Sequence, residues 1–144
     1  MPLPTLTRGL LPEGCHECRI EEVEALFCEG ALRQELWSGF VRFAEYLRVA
    51  TPFQSIYLDG RFVSGEAWPD TIDVGIELPA SRRYPADLLM IDFKSRYGVN
   101  LLFFAPHRPL GSNFHEVFQI PDYGFAEERN LAPDSRKGYL KVLL

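Results

Sequence analysis

An α+β domain is the fold class this sequence predicts, and three observations carry it. Apolar residues recur with a helical period from Ile20 to about Leu47. The segments "SIYLDG", "TIDVGIEL" and "VNLLFFAP" carry the composition or the alternation of strands. Apolar content of 47% with 13% aromatics, in a chain of 144 residues, supplies a core for one domain spanning residues 1–144.

The elements follow in order. Residues 1–14, "MPLPTLTRGLLPEG", form a Pro/Gly-rich extended arm. In "IEEVEALF", Ile20, Val23 and Phe27 share one helical face, and Glu21 and Glu22 suit the positive end of the helix dipole. After "CEG", a stripe of Leu32, Leu36, Phe40, Phe43 and Leu47 predicts a longer helix. It stops at "ATPF", because Pro52 disfavours helical backbone at Thr51. A strand is expected near Ser55–Leu58 and a second near Thr71–Leu78, with Asp73, Gly75 and Glu77 on one face of the latter. "YPADLLMIDFKSRYG" reads as a helix opened by Pro85 and stopped by Gly98. "VNLLFFAP" reads as a strand covered on both faces. "NFHEVFQI" fits a strand or a short helix, and Tyr139–Leu143 is expected to be an edge strand. Such a set of two or three helices and four or five strands makes the domain α+β.

Charge and termini narrow the function classes. The net charge of −5 and the lack of a Lys/Arg cluster disfavour direct nucleic-acid binding. A protein partner with a basic surface is easier to accommodate, and self-association stays open. No apolar run approaches the ~20 residues that span a bilayer, so no membrane partner is expected. The prolines at 2 and 4 and the lack of a signal-type apolar core give a cytoplasmic expectation.

Three cysteines, an odd number, argue against a disulfide framework. "CHEC" places Cys15, His16 and Cys18 close together, with Cys28 ten residues on, but a zinc site of four ligands has no second knuckle here. Buried or helix-start thiols are the expectation. His107 and His115 have no partner at metal spacing. Ser64 lies in no Gly-x-Ser-x-Gly elbow, so serine hydrolysis has no support. Trp37, beside Leu36, is expected in packing, whereas Trp68 is a candidate partner anchor, base-stacking residue or lid residue.

Four segments, "LPEGCHECRIEEVEALF", "LDGRFVSGEAWPDTID", "RYGVNLLFF" and "VFQI…RKGYLKV", resemble in order and spacing a small bacterial and phage group related to the minimal nucleotidyltransferases of the polymerase-beta superfamily. The resemblance covers roughly Leu11 to Val142. It implies a short mixed sheet flanked by N-terminal helices and one crossover helix. It also implies a strand, a Gly-Ser turn, and Asp-x-Asp on the next strand, with a third acid on a neighbouring strand. Alternate strand residues point the same way, so such acids together hold the Mg²⁺ ions that bridge a nucleoside triphosphate and its acceptor.

Carried over position by position, the pattern is incomplete. Gly60 is kept, but Arg61 stands at the serine position, Thr71 at the first acid, Asp73 at the second and Asn100 at the third. One carboxylate remains, with Asp70 as a second only if the strand starts late or slips. Gly60, Arg61 and Ser64 are the candidate phosphate contacts, and Arg61 is alternatively a partner of Asp73 or a solvated turn residue. His16, in the family-like "LPxGxH" segment, is expected to hydrogen-bond across to the loop and pin the N-terminal arm.

The resemblance therefore implies a catalytically degenerate protein without cofactor that acts by binding a protein partner in bacterial or phage conflict, as an antitoxin-like neutraliser or an inhibitor of a defence complex. The alternative is an active enzyme using Mg²⁺ and a nucleotide to move NMP to a protein or nucleic-acid hydroxyl, with Asp73 and Asp70 as metal ligands.

Overall fold

The computed structural model describes residues 3–79, 88, 90–105 and 113–144. Helices α1 (Ile20–Phe27) and α2 (Ala31–Ala50) precede most of a five-stranded mixed sheet in the order β1-β5-β2-β3-β4. The strands are β1 (Gly14–Arg19), β2 (Ser55–Asp59), β3 (Ile72–Glu77), β4 (Val99–Phe104) and β5 (Gly138–Leu143). Short helices α3 (Phe93–Tyr97), α4 (Phe114–Val117) and α5 (Tyr123–Glu128) complete the fold. The α+β expectation holds. Among the described residues, no helix is long and apolar enough to cross a membrane.

Local chemistry accounts for the element ends. The Glu22 carboxylate accepts the Arg19 backbone N–H at 2.7 Å and closes the start of α1. The Thr51 hydroxyl donates to the Leu47 carbonyl at 2.6 Å where α2 stops ahead of Pro52. Gly98, with φ of 70°, ends α3 in the left-handed conformation. The sequence-expected helix around α3 begins, with Pro85, outside the described residues, and His107 lies outside them as well.

Strand alternation gives the sheet two unlike faces. One face presents Ile56, Leu58, Ile72, Val74, Ile76, Val99, Leu140 and Val142 to Val23, Phe27, Trp37, Phe40, Phe43 and Leu47 of α1 and α2. Each fully buried side chain there contributes roughly 1.5–3 kcal/mol. The other face is polar at one end and carries a small aromatic cluster of Tyr57, Phe114, Phe118 and Tyr139 under α4. Helices therefore lie on both faces. Gly75 lets α4 approach, since a Cβ there would meet the Phe114 ring at 2.8 Å.

Two expectations are corrected. Tyr139–Leu143 is not an edge. β5 lies between β1, to which it is parallel, and β2, to which it is antiparallel. Its outer neighbour, β1, comes from the "CHEC" segment, which the sequence reading left ahead of the helix. The α2 stripe also starts differently: Arg33 and Trp37 are buried, whereas Leu32 is exposed.

Candidate functional site

The β2–Gly60–β3 unit builds one end of the polar face. β2 runs one residue further than its sequence expectation, to Asp59, and then turns at Gly60 into a 3₁₀ turn over Arg61–Val63. Gly60 has φ of 85° and ψ of −169°, a region essentially reserved for glycine. A Cβ there would also lie 2.6 Å from the Asp73 carboxylate. β3 begins at Ile72, one residue later than expected, so Asp70 and Thr71 precede the strand and Asp70 lines the same cavity as Asp73.

The register then sets a row across the sheet. Asp59 lies directly opposite Asp73 on antiparallel strands, and Asp73 lies beside Asn100 on the parallel β4. Cross-strand partners have Cβ atoms about 5 Å apart on the same face, so two carboxylates stand side by side where the sequence reading had one. The Asn100 amide donates to Asp73 Oδ1 at 3.3 Å. At the other end of the row, the Lys137 ammonium donates to Asp59 Oδ1 and, at 2.7 Å, to the Phe118 carbonyl. The side chains of this pair are 6% and 10% exposed, so the ion pair is an interior one.

Burial pushes the Asp59 carboxyl up to about 6 against the attraction of Lys137, with the Asp73 charge adding to the upward push. Asp73 is also raised, chiefly by burial, while the Asn100 amide and Lys137 pull it down.

A cavity of about 320 Å³ opens over Lys137, Asp59 and Asp73, lined also by Gly60, Arg61, Ser64, Asp70 and Thr71, whereas Asn100 lines a separate one. The structure thus gathers the sequence-expected residues of the site around one space. Their roles differ from expectation in three places. Arg61 does not pair with Asp73; its guanidinium bonds Asp122 Oδ1 at 2.9 Å. The Ser64 hydroxyl is engaged in its own turn, donating to the Arg61 carbonyl at 2.5 Å and accepting the Glu66 N–H at 3.1 Å. Trp68, 77% exposed, lines a neighbouring groove with Phe27, Leu32 and Arg33 instead of the cavity.

Sequence reasoning missed Asp59, Lys137, Asp122 and Arg33. Arg33 fixes the loop behind the cavity: its guanidinium donates to the carbonyls of Phe27, Phe62, Arg61, Ser64 and Glu66 at 2.6–3.4 Å. The one available signal was an arginine amid an apolar helix stripe. Asp122 caps α5, its Oδ1 accepting the Phe125 N–H at 3.2 Å. Val117, Ile120 and Tyr123 are exposed between α4 and α5, and the first two line the cavity mouth.

The other singled-out residues lie elsewhere. Cys18 is buried and Cys15 exposed, on opposite faces of β1, so they make no knuckle. Among the described residues no group of three or more His, Cys, Asp or Glu could hold a metal ion. His16 Nε2 donates to the Pro12 carbonyl at 2.6 Å, so it ties down the arm through a bond within the arm and not across to the loop. Trp37 stacks between Phe40 and Phe62 in the core. His115 does have partners, Glu77 on one ring nitrogen and the Tyr139 hydroxyl on the other, at 2.6 Å. They were invisible in sequence because 38 and 24 residues separate them from it.

The donor set is a poor match for the divalent cations that the nucleotidyltransferase resemblance implies. Hard cations need free carboxylate oxygens. Here an ammonium holds one carboxylate and an amide N–H donates to the other. The side chains at the other two acid positions, Thr71 and Asn100, are neutral.

The fold and site define an α+β domain with a charged cavity lined by two ion pairs of its own. The chain belongs to the family described as "Family of unknown function (DUF6932)", whose match spans residues 4–143. No curated protein and no solved structure matches it.

Proposed function

We propose that this chain is a catalytically degenerate nucleotidyltransferase-like protein that works by binding a protein partner. The carrying observation is the Asn100 amide on Asp73 Oδ1. A metal-dependent site would need a charged carboxylate at that position; this one supplies a neutral amide whose N–H occupies the Asp73 oxygen. The remaining layout supports the ancestry: two antiparallel strands joined through Gly60, then a parallel strand bringing position 100 beside Asp73.

Binding is supported by the surface around the cavity. Ile120 is 52% exposed and Tyr123 81% exposed, beside a cavity lined by Asp70 and Asp73. Apolar anchors next to acids suit a partner with a basic, partly apolar face. The resemblance implies bacterial or phage conflict as the setting, with the partner a toxin or a component of a defence complex.

A second reading gains one observation. Asp59 stands opposite Asp73, a carboxylate pair of the type Mg²⁺ uses, so an active enzyme would draw on Asp59 and Asp73 rather than Asp73 and Asp70. Lys137 on Asp59 weighs against it.

The two readings separate in one comparison. Labelled nucleoside triphosphates with Mg²⁺ or Mn²⁺ and candidate protein or nucleic-acid acceptors should give no transfer. The immobilised chain should retain a protein that is released by rising salt and lost with Ile120→Arg. Transfer that disappears in Asp73→Ala would establish the enzyme instead.

A further inference from the structure

We propose that the Lys137 ammonium is the resident cation of the Asp59–Asp73 row, and that removing its charge opens a divalent-cation site on those two carboxylates. This deepens the proposed reading of the site, but the register and contacts around Lys137 stand whatever ancestry the site has.

Two carboxylates facing one another across antiparallel strands repel, and burial sharpens the repulsion. A fold that keeps both members of such a pair ionised needs a cation. Lys137 supplies one from the residue just before β5, on the side of β2 away from β3. Three anchors hold it there. Its Nζ bonds Asp59 and the Phe118 carbonyl, and its backbone N–H bonds the Gln119 carbonyl at 2.9 Å. The side chain is only 6% exposed, so it does not swing away as a surface lysine does. Both Asp59 and Asp73 feel its charge.

The ammonium and a divalent ion compete for the same oxygens. A covalently tethered cation does not dissociate, so millimolar metal does not displace it. With that charge gone, Asp59 and Asp73 are left as two hard oxygen ligands in a cavity with room for coordinating water, and a divalent ion takes the place of the proton that Asp59 then holds more tightly. Such carboxylate pairs with retained waters suit Mg²⁺ and Mn²⁺.

Lys137→Gln is the informative variant. Its amide still donates to Asp59 or to the Phe118 carbonyl, which favours folding, but it carries no charge. Thermal unfolding and Mn²⁺ paramagnetic resonance are measured for the wild type, Lys137→Gln and Lys137→Gln/Asp73→Asn, each with and without MnCl₂. The expected result is Mn²⁺ affinity at least tenfold higher in Lys137→Gln than in the wild type, with a raised Tm, and loss of both in the double variant. Lys137→Met, if unfolded alone, should fold when Mn²⁺ is added. The proposal is overturned if the wild type binds Mn²⁺ as tightly as Lys137→Gln. It is equally overturned if folded Lys137→Gln shows no gain, if the gain survives Asp73→Asn, or if neither Lys137 variant folds even with Mn²⁺. Nucleotide transfer is read separately on the wild type, so an unexpected enzyme activity and a failed cation exchange give different results.

Discussion

Asp59 shows how one residue of strand length changes the reading of a site. "SIYLDG" ends ambiguously, since aspartate before glycine is equally a turn and a strand end. The structure extends β2 to Asp59, and antiparallel pairing then sets it opposite Asp73. Asp73, Gly60 and Asn100 were legible because strand alternation and the family pattern name their positions. Lys137 was not, since its partner is 78 residues away and nothing local marks a lysine for burial.

The Asp59 carboxyl provides a residue-scale prediction. Burial raises it from 3.8 to about 6, so the folded chain holds this proton more tightly than the unfolded one. Between those pH values the folded state binds more protons. The stability that this group contributes is therefore complete below its unfolded value and is lost as pH rises toward 6. Carboxyl-carbon NMR should show Asp59 titrating near pH 6 in the wild type and higher in Lys137→Gln, because the charge that pulls it down is gone. An Asp59 titration left in place by Lys137→Gln would contradict the pairing.

At the scale of elements, helices α1 and α2 and strands β2 to β4 were legible, because a 3.6-residue period or an alternating pattern reports burial directly. β5 was misplaced for a physical reason. Tyr139 and Lys141 alternate with Leu140 and Val142, which is what a strand with one polar face looks like whether central or peripheral. Its neighbours β1 and β2 come from distant parts of the chain, and pairing is not written in local pattern. β1 was missed because "GCHECR" exposes three residues and buries only Cys18.

The element that shapes the cavity wall, the loop after Gly60, depends on Arg33. Its planar guanidinium serves five carbonyls at once, a geometry that lysine cannot reproduce. Arg33→Ala should cost about 3 kcal/mol, since unsatisfied buried carbonyls cost roughly 1–3 kcal/mol each and water recovers part of that. Arg33→Lys should recover little of it. Urea unfolding measures the loss, and hydrogen exchange should quicken across residues 61–67 before the sheet responds. Unchanged exchange there would remove Arg33 from its role.

For the whole molecule, the arrangement divides labour between the two sheet faces. The apolar face carries α1, α2 and the main core, so the domain does not depend on the polar face for its bulk stability. The polar face is free to hold charge, and it does so with cations from its own chain: Lys137 for Asp59 and Arg61 for Asp122. Within the proposed reading, a site neutralised from within suits recognition better than phosphate chemistry. Asp70 and Asp73 remain as the negative floor beside exposed Ile120 and Tyr123.

Anomalous diffraction from wild-type crystals soaked in manganese and a nucleoside triphosphate tests this most directly. The account predicts no manganese peak beside Asp59 and Asp73, with the Lys137 ammonium still on Asp59. Two manganese ions bridging those carboxylates to the triphosphate, with Lys137 turned away, would contradict it.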